Sequence, residues 1–131
     1  MRALDTNVLV RYLTADDSRQ LVAASRFIDR CSQDGEFIFL PALVLCELVW
    51  VLFRCYDQSK AEIVAILERI LQTEQFKIEH DALVRRSLEG YRNGKADFSD
   101  YLIGEISRAS GCRDTVTFDR ALKSTPGFTM L

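Results

Sequence analysis

Residues 40–53 read LPALVLCELVWVLF, from Leu40 to Phe53, and carry a single charge, Glu47. Pro41 suits the first turn of a helix, and the long apolar run after it fits one. On a helix, the residues one turn from Glu47 are Leu43, Val44, Trp50 and Val51, all apolar. The pattern therefore predicts a Glu47 that faces the core. A bare buried carboxylate is costly even after the protein relaxes. Three things offset that cost: a proton, an Arg or Lys partner such as Arg11, or a metal ion.

Just upstream, Phe37-Ile38-Phe39-Leu40 is a continuous apolar run. It reads as a strand covered on both faces. Ser32–Glu36 holds Asp-Gly and reads as a turn. Gln20–Cys31 places Leu21, Ala24, Phe27 and Ile28 at helical spacing. Thr14–Arg19 is a polar loop. At the start, Arg2–Leu4 reads as a first strand, and Val8–Leu13 as a helix. Asp5 falls at the junction, where its plain reading is an N-cap.

Downstream, Ala61–Leu71 repeats apolar residues as an amphipathic helix, and Phe76–Ile78 is a short strand. His80–Tyr91 reads as a helix with Ala82, Leu83, Leu88 and Tyr91 inward. Tyr91–Lys95 is a turn, and Ala96–Ala109 a helix starting near Asp97 and closed by Gly111. Asp114–Thr117 is a β-branched strand. Arg120–Lys123 is a short helical segment, and Phe128–Met130 a last strand. Strands alternate with helices, with no repeat and no linker. The order predicts an α/β sandwich around a mainly parallel sheet, and the length of 131 residues predicts one domain, residues 1–131.

A net charge of −2 gives no global basic signal, so nucleic-acid binding would need a local patch or a metal. The four cysteines form no Cys-x-x-Cys pair and His80 is the lone histidine, which argues against zinc. Reduced thiols and a cytoplasmic setting are the expectation. Arg2, Asp5 and Arg11 interrupt any early apolar region, so no secretory signal is expected. The run Phe37–Phe53 contains Pro41 and Glu47 and falls short of the ~20 residues of a membrane span.

Four acids stand out: Asp5, Glu47, Asp100 and Asp119, with Asp97 as a fifth. Asp5 and Asp119 follow strand ends, where sites form in parallel sheets. Asp97 and Asp100 share a face at a helix start. Singly, Asp97 and Asp119 read as caps, and Asp100 as a carboxylate favoured by the helix dipole. Together they would repel strongly without a cation. Carboxylate oxygens suit Mg²⁺ or Mn²⁺, ions that partner phosphate. The chemistry indicated is metal-assisted hydrolysis of a phosphodiester.

The ordered pieces LDTNVLV (4–10), Pro41 through Glu47 to Leu52, GKADFSDYLI (94–103) and TVTFD (115–119) make the chain resemble PIN-domain ribonucleases. The nearest likeness is to the VapC-like toxins of toxin–antitoxin pairs. The resemblance implies a three-layer α/β/α fold and an acidic pocket for Mg²⁺ or Mn²⁺. It carries the family's four acids onto Asp5, Glu47, Asp100 and Asp119, and an acid of one subgroup onto Asp97. Asp5 and Asp100 would be the main ligands, with Glu47 and Asp119 holding the ion's waters. Thr6 and Thr117 match hydroxyl positions near the pocket, and Asn7 a polar position that orients neighbouring acids. Tyr101 and Gly104 depart from the family, which more often has alanine-like residues there. The implied function is endoribonuclease, acting on tRNA or ribosomal RNA. The implied partners are an antitoxin protein that covers the pocket and a second copy of the chain. Arg85, Arg86, Arg92, Lys95, Arg113, Arg120 and Lys123 are candidate RNA contacts, each with a solvated surface charge as its plain reading. The competing readings are a phospho-receiver-type Mg²⁺-binding module and a catalytically silent PIN-like scaffold.

Overall fold

Ile38 and Leu40 are fully buried on the strand β2 (Ile38–Leu40), as a run apolar on both faces requires. The structure, a computed structural model, describes residues 1–14 and 18–131. The polar loop expected at Thr14–Arg19 therefore lies partly outside the described residues. The described chain falls into two compact units, Met1–Asp81 and Ala82–Leu131.

In the first unit β2 is the central strand of three. It pairs in parallel with β1 (Arg2–Ala3), Arg2 opposite Ile38, and with β3 (Phe76–Ile78), Leu40 opposite Ile78. Parallel neighbours need crossover connections, and helices supply them. Between β1 and β2 run α1 (Thr6–Leu13) and α2 (Arg19–Gln33). Between β2 and β3 run α3 (Ala42–Arg54) and α4 (Lys60–Gln72). Helix α1 packs on both α2 and α3.

Local chemistry sets the helix ends. Ser18 and Ser59 cap α2 and α4 by accepting from Leu21 N (3.2 Å) and Glu62 N (3.2 Å). Glu62 returns the bond to Ser59 N, completing a capping box. Pro41 precedes α3 as its N-cap and offers no side-chain acceptor. Glu79, just past β3, fills that role: its Oε1 accepts from Ala42 N at 3.0 Å.

The second unit holds α5 from Ala82 to its end (Asp81–Asn93), α6 (Phe98–Ala109), β4 (Thr115–Thr117), a 3-10 turn (Arg120–Leu122) and β5 (Phe128–Met130). Strands β4 and β5 pair in parallel, Thr115 opposite Phe128. Gly111 takes φ +92° after α6, a conformation suited to glycine at a helix C-terminus. The core is Val84, Leu88, Tyr91, Phe98, Tyr101, Leu102 and Leu122. Tyr91 and Phe98 meet edge to face, with centroids 6.0 Å apart and planes at 82°.

Three sequence expectations need correction. Glu47 is exposed, not core-facing. The buried stripe of α3 is Ala42, Val44, Leu45, Leu48, Val49 and Leu52. At ~100° per residue, Glu47 lies two steps, roughly 200°, from Leu45. Leu43 and Trp50 share its outer face and are 68% and 60% exposed. The premise of a buried carboxylate in need of a partner therefore falls away. On α5, Val84 and Ser87 are inward while Ala82 is exposed; Ser87 pairs its hydroxyl with Leu83 O at 2.7 Å, which makes burial affordable. The turn expected at Tyr91–Lys95 begins later, because α5 runs on to Asn93.

The α/β class with a parallel sheet is as expected. So are β3 and β5, residue for residue. Among the described residues, no helix is long and apolar enough to cross a membrane.

Candidate active site

Asp5 lies two residues past β1 and caps α1. Its extended backbone (φ −85°, ψ 172°) turns the carboxylate back, and Oδ1 accepts from Val8 N at 3.1 Å. The plain reading of Asp5 as an N-cap is thus correct. Capping uses one carboxylate oxygen and leaves the side chain exposed. Thr6 is buried beneath it, while Asn7 points outward. A cleft of about 610 Å³ opens here, lined by Arg2, Asp5, Asn7 and Arg11 on one side and Ala23 and Phe27 of α2 on the other. In the same unit, Glu47 projects from the outer face of α3. Burial first, and the Glu47 charge second, push the thiol pKa of neighbouring Cys46 up.

In the second unit the acids crowd. Asp97 caps α6, and Asp100 Oδ2 accepts from Asp97 N at 3.1 Å. Asp119 follows β4 by two residues and caps the 3-10 turn, its Oδ1 accepting from Ala121 N at 2.9 Å. Thr117 holds the approach: its Oγ1 accepts from Asp119 N at 3.0 Å. Asp100 has a raised pKa. Burial is the main cause; the bond from Asp97 N opposes it, and the charges of Asp97 and Asp119 add to it. Two like charges felt at one half-buried carboxylate are the electrostatic setting that a cation relieves.

The donor set is all oxygen, which suits Mg²⁺ or Mn²⁺ and not zinc. Among the described residues, no three His, Cys, Asp or Glu side chains gather closely enough to cage an ion. Mg²⁺ does not need a cage: it keeps several waters and is held by one or two carboxylates. The acids present fit an ion of that kind.

The raised pKa of Asp100 has a sign that can be tested without metal. The folded chain holds this proton more tightly than the unfolded chain. The penalty is absent well below the ordinary carboxylate range, grows as pH rises through it, and is complete above Asp100's own pKa. It is therefore larger at neutral pH than in acid. Asp100→Asn removes the charge yet keeps an acceptor for Asp97 N. In EDTA at neutral pH it should raise the melting temperature, on the order of a degree or two given solvent screening. A lower melting temperature at neutral pH would refute the crowding argument.

The departures at Tyr101 and Gly104 have packing causes. Tyr101 is buried over Gly90 and Gly94; a Cβ at Gly90 would lie 2.7 Å from its ring. Its hydroxyl accepts from Ala96 N at 3.3 Å and so braces the loop before Asp97. Gly104 makes room for Phe128, which a Cβ would meet at 2.6 Å.

A PIN domain model matches residues 2–127. The chain belongs to the PIN-domain family. A VapC ribonuclease of Aquifex aeolicus (strain VF5) is 30% identical over 123 residues, covering 94% of this chain and 90% of that protein. The likeness to VapC-like PIN proteins read from the motifs is therefore correct, and so is the α/β fold class that the family implies.

The seven basic residues expected to meet RNA are all exposed and all lie in the second unit of this PIN chain. Of these, Arg86 Nε is 3.0 Å from Glu105 Oε2, and Arg92 Nη2 is 3.4 Å from Glu89 Oε1. The sequence reading missed the cleft beside Asp5. Arg11 was paired there with Glu47, whereas its Nε donates to Gln20 Oε1 (2.9 Å) and its Nη1 to Tyr56 Oη (2.8 Å). The packing of α1 on α2 brings residues 2–11 to residues 20–27, and no motif spacing records that.

Proposed function

We propose that this chain is a metal-dependent endoribonuclease and the toxin of a toxin–antitoxin pair, acting on tRNA or ribosomal RNA. The observation that carries the reading is the pairing of Asp97 and Asp100 at the start of α6, where burial first, and the charges of Asp97 and Asp119 after it, raise the pKa of Asp100. Likeness to a VapC ribonuclease along nearly the whole chain supports the reaction class. We read Asp5 and Glu47 of the first unit, and Asp100 and Asp119 of the second, as the acids that serve Mg²⁺ or Mn²⁺, with Asp97 as a positioning cap for Asp100. The whole of residues 1–131 is read as one domain, because the PIN match runs through both compact units. A cytoplasmic setting, a homodimer and an antitoxin partner belong to the same reading.

When bound, the ion offers positive charge to the phosphodiester oxygens and lowers the pKa of water. The chain's own residues do the rest. Asp5 and Asp100 would be the ion's ligands. Glu47 and Asp119 accept hydrogen bonds from water and take its proton as it adds to phosphorus. The bond from phosphorus to the leaving ribose oxygen breaks, and that oxygen takes up a proton. No covalent enzyme intermediate forms. Thr117 keeps the Asp119 backbone in place, and Asn7 lies beside Asp5.

The experiment is cleavage of total cellular RNA by the purified chain, with Mg²⁺, with Mn²⁺ and with EDTA. Discrete fragments that require metal are the expected result, and mapping their ends identifies the RNA. Full cleavage in EDTA would refute metal dependence. Intact RNA in every condition, from protein shown free of a co-purified partner, would leave the silent scaffold as the better account.

A further inference from the structure

Arg2 holds its guanidinium 4.7 Å from the centroid of the Phe27 ring. Stacking of this kind fixes a planar cation's orientation and contributes about 0.5–1 kcal/mol at an exposed site. Among the described residues, no carboxylate pairs with Arg2. Arg11 lines the same cleft and is oriented by Gln20 and Tyr56. The opposite wall is apolar, formed by Ala23, Ala24 and Phe27 of α2. The volume of about 610 Å³ falls within the range of small-ligand sites.

Pre-oriented guanidinium groups match the oxygens of a phosphate and bind it through paired N–H donors. An apolar wall of small side chains with one ring suits a ribose and base. A phosphodiester strand brings both features at each step, a charge followed by a flat apolar group. An acidic peptide brings the charge alone. Asp5 on the cleft wall places this surface next to a proposed catalytic carboxylate.

We propose that this cleft seats the RNA strand beside the scissile bond, with Arg2 on a phosphate, Arg11 adding its charge to the cleft wall, and the adjoining nucleoside against Ala23 and Phe27. Both arginines are positioning residues. The identity of the strand rests on the ribonuclease reading above, but the test needs neither metal nor cleavage.

The test is binding of a fluorescein-labelled single-stranded oligouridylate by the full chain in EDTA, followed by anisotropy across a salt series. Arg2→Gln is expected to weaken binding roughly tenfold. It should also lower the slope of log affinity on log salt by about 0.7, the loss of one phosphate contact on a single strand. Arg2→Lys keeps the charge and should keep the slope. A side chain that only packs on Phe27 would leave the slope unmoved. Should Arg2→Gln not fold, Phe27→Leu keeps an apolar side chain, removes the ring that orients Arg2, and should weaken binding several-fold. Unchanged affinity and slope in the Arg2 variant, or no binding by the wild-type chain at low salt, overturns the proposal. So does oligoglutamate displacing the probe more effectively than unlabelled oligouridylate, which would assign the cleft to an acidic protein segment. Failure of cleavage with binding intact would count against the catalytic reading alone.

Discussion

Asp5→Asn and Asp100→Asn are each expected to reduce metal-dependent RNA cleavage by roughly 10²–10³-fold, the loss typical of removing one preorganised electrostatic group from an active site. The substitution removes a charge while keeping an oxygen of the same shape. Asn ranks with Asp as an N-cap, so the acceptor for Val8 N survives in Asp5→Asn. The acceptor for Asp97 N survives in Asp100→Asn. Folding stability should therefore hold in the first variant and rise in the metal-free second. Activity and stability then move in different directions, which a misfolded variant cannot produce. Asp5→Ala would confuse the two, since loss of a cap costs about 0.5–2 kcal/mol. Initial rates on total RNA, set beside thermal melts in EDTA, make the comparison. Rates within a factor of two of wild type in both variants would remove these acids from the site.

How much of this was legible depended on which physical signal each residue carries. Asp5 and Asp119 were readable because a short polar residue after a strand and before a helical pattern has few other uses. The structure finds both as caps. Phe76–Ile78 and Phe128–Met130 were readable as short apolar–polar–apolar alternations. Glu47 was not. Helix α3 is apolar nearly all round, so counting neighbours one turn away does not tell its inner face from its outer one. Leu45 and Leu48 are fully buried while Leu43 and Trp50 stand out, in a stretch where all four look alike. Periodicity locates a buried stripe only where polar residues mark the other side.

Other features are tertiary and leave no local trace. Glu79 caps α3 because β3 lies next to β2, thirty-seven residues away in sequence. Nothing in the sequence around Gly90 and Gly94 gives them a packing role. They are the slot into which Tyr101 fits. Ser87 looked polar and outward, yet its hydroxyl satisfies itself on Leu83 O and the residue is buried. Arg2 and Arg11 carried no motif. Their shared cleft exists because α1 lies against α2.

Phe98→Ala should be the most destabilising of the substitutions considered, by about 3–5 kcal/mol. Phe98 is fully buried at the start of α6, between the cap Asp97 and the acid Asp100. Its ring meets Tyr91 of α5 edge to face, so truncation removes an aromatic pair as well as apolar burial. Repair by collapse is limited. Tyr101 is already wedged over Gly90 and Gly94, and Leu102 is itself fully packed. The cavity would persist, and cavity volume is what carries large-to-small changes into the upper part of their range. A loss of that size is a large share of a typical domain stability of ~5–15 kcal/mol. Urea unfolding of the metal-free chain, followed by circular dichroism, measures it as a shift in midpoint at constant slope. Phe98→Leu sets the scale. It keeps most of the apolar volume but loses the ring, and should cost less than half as much. If alanine and leucine cost the same, the stability resides in the aromatic contact and not in filled space. If neither costs more than about 1 kcal/mol, this part of the second unit is looser than the burial of Phe98 requires.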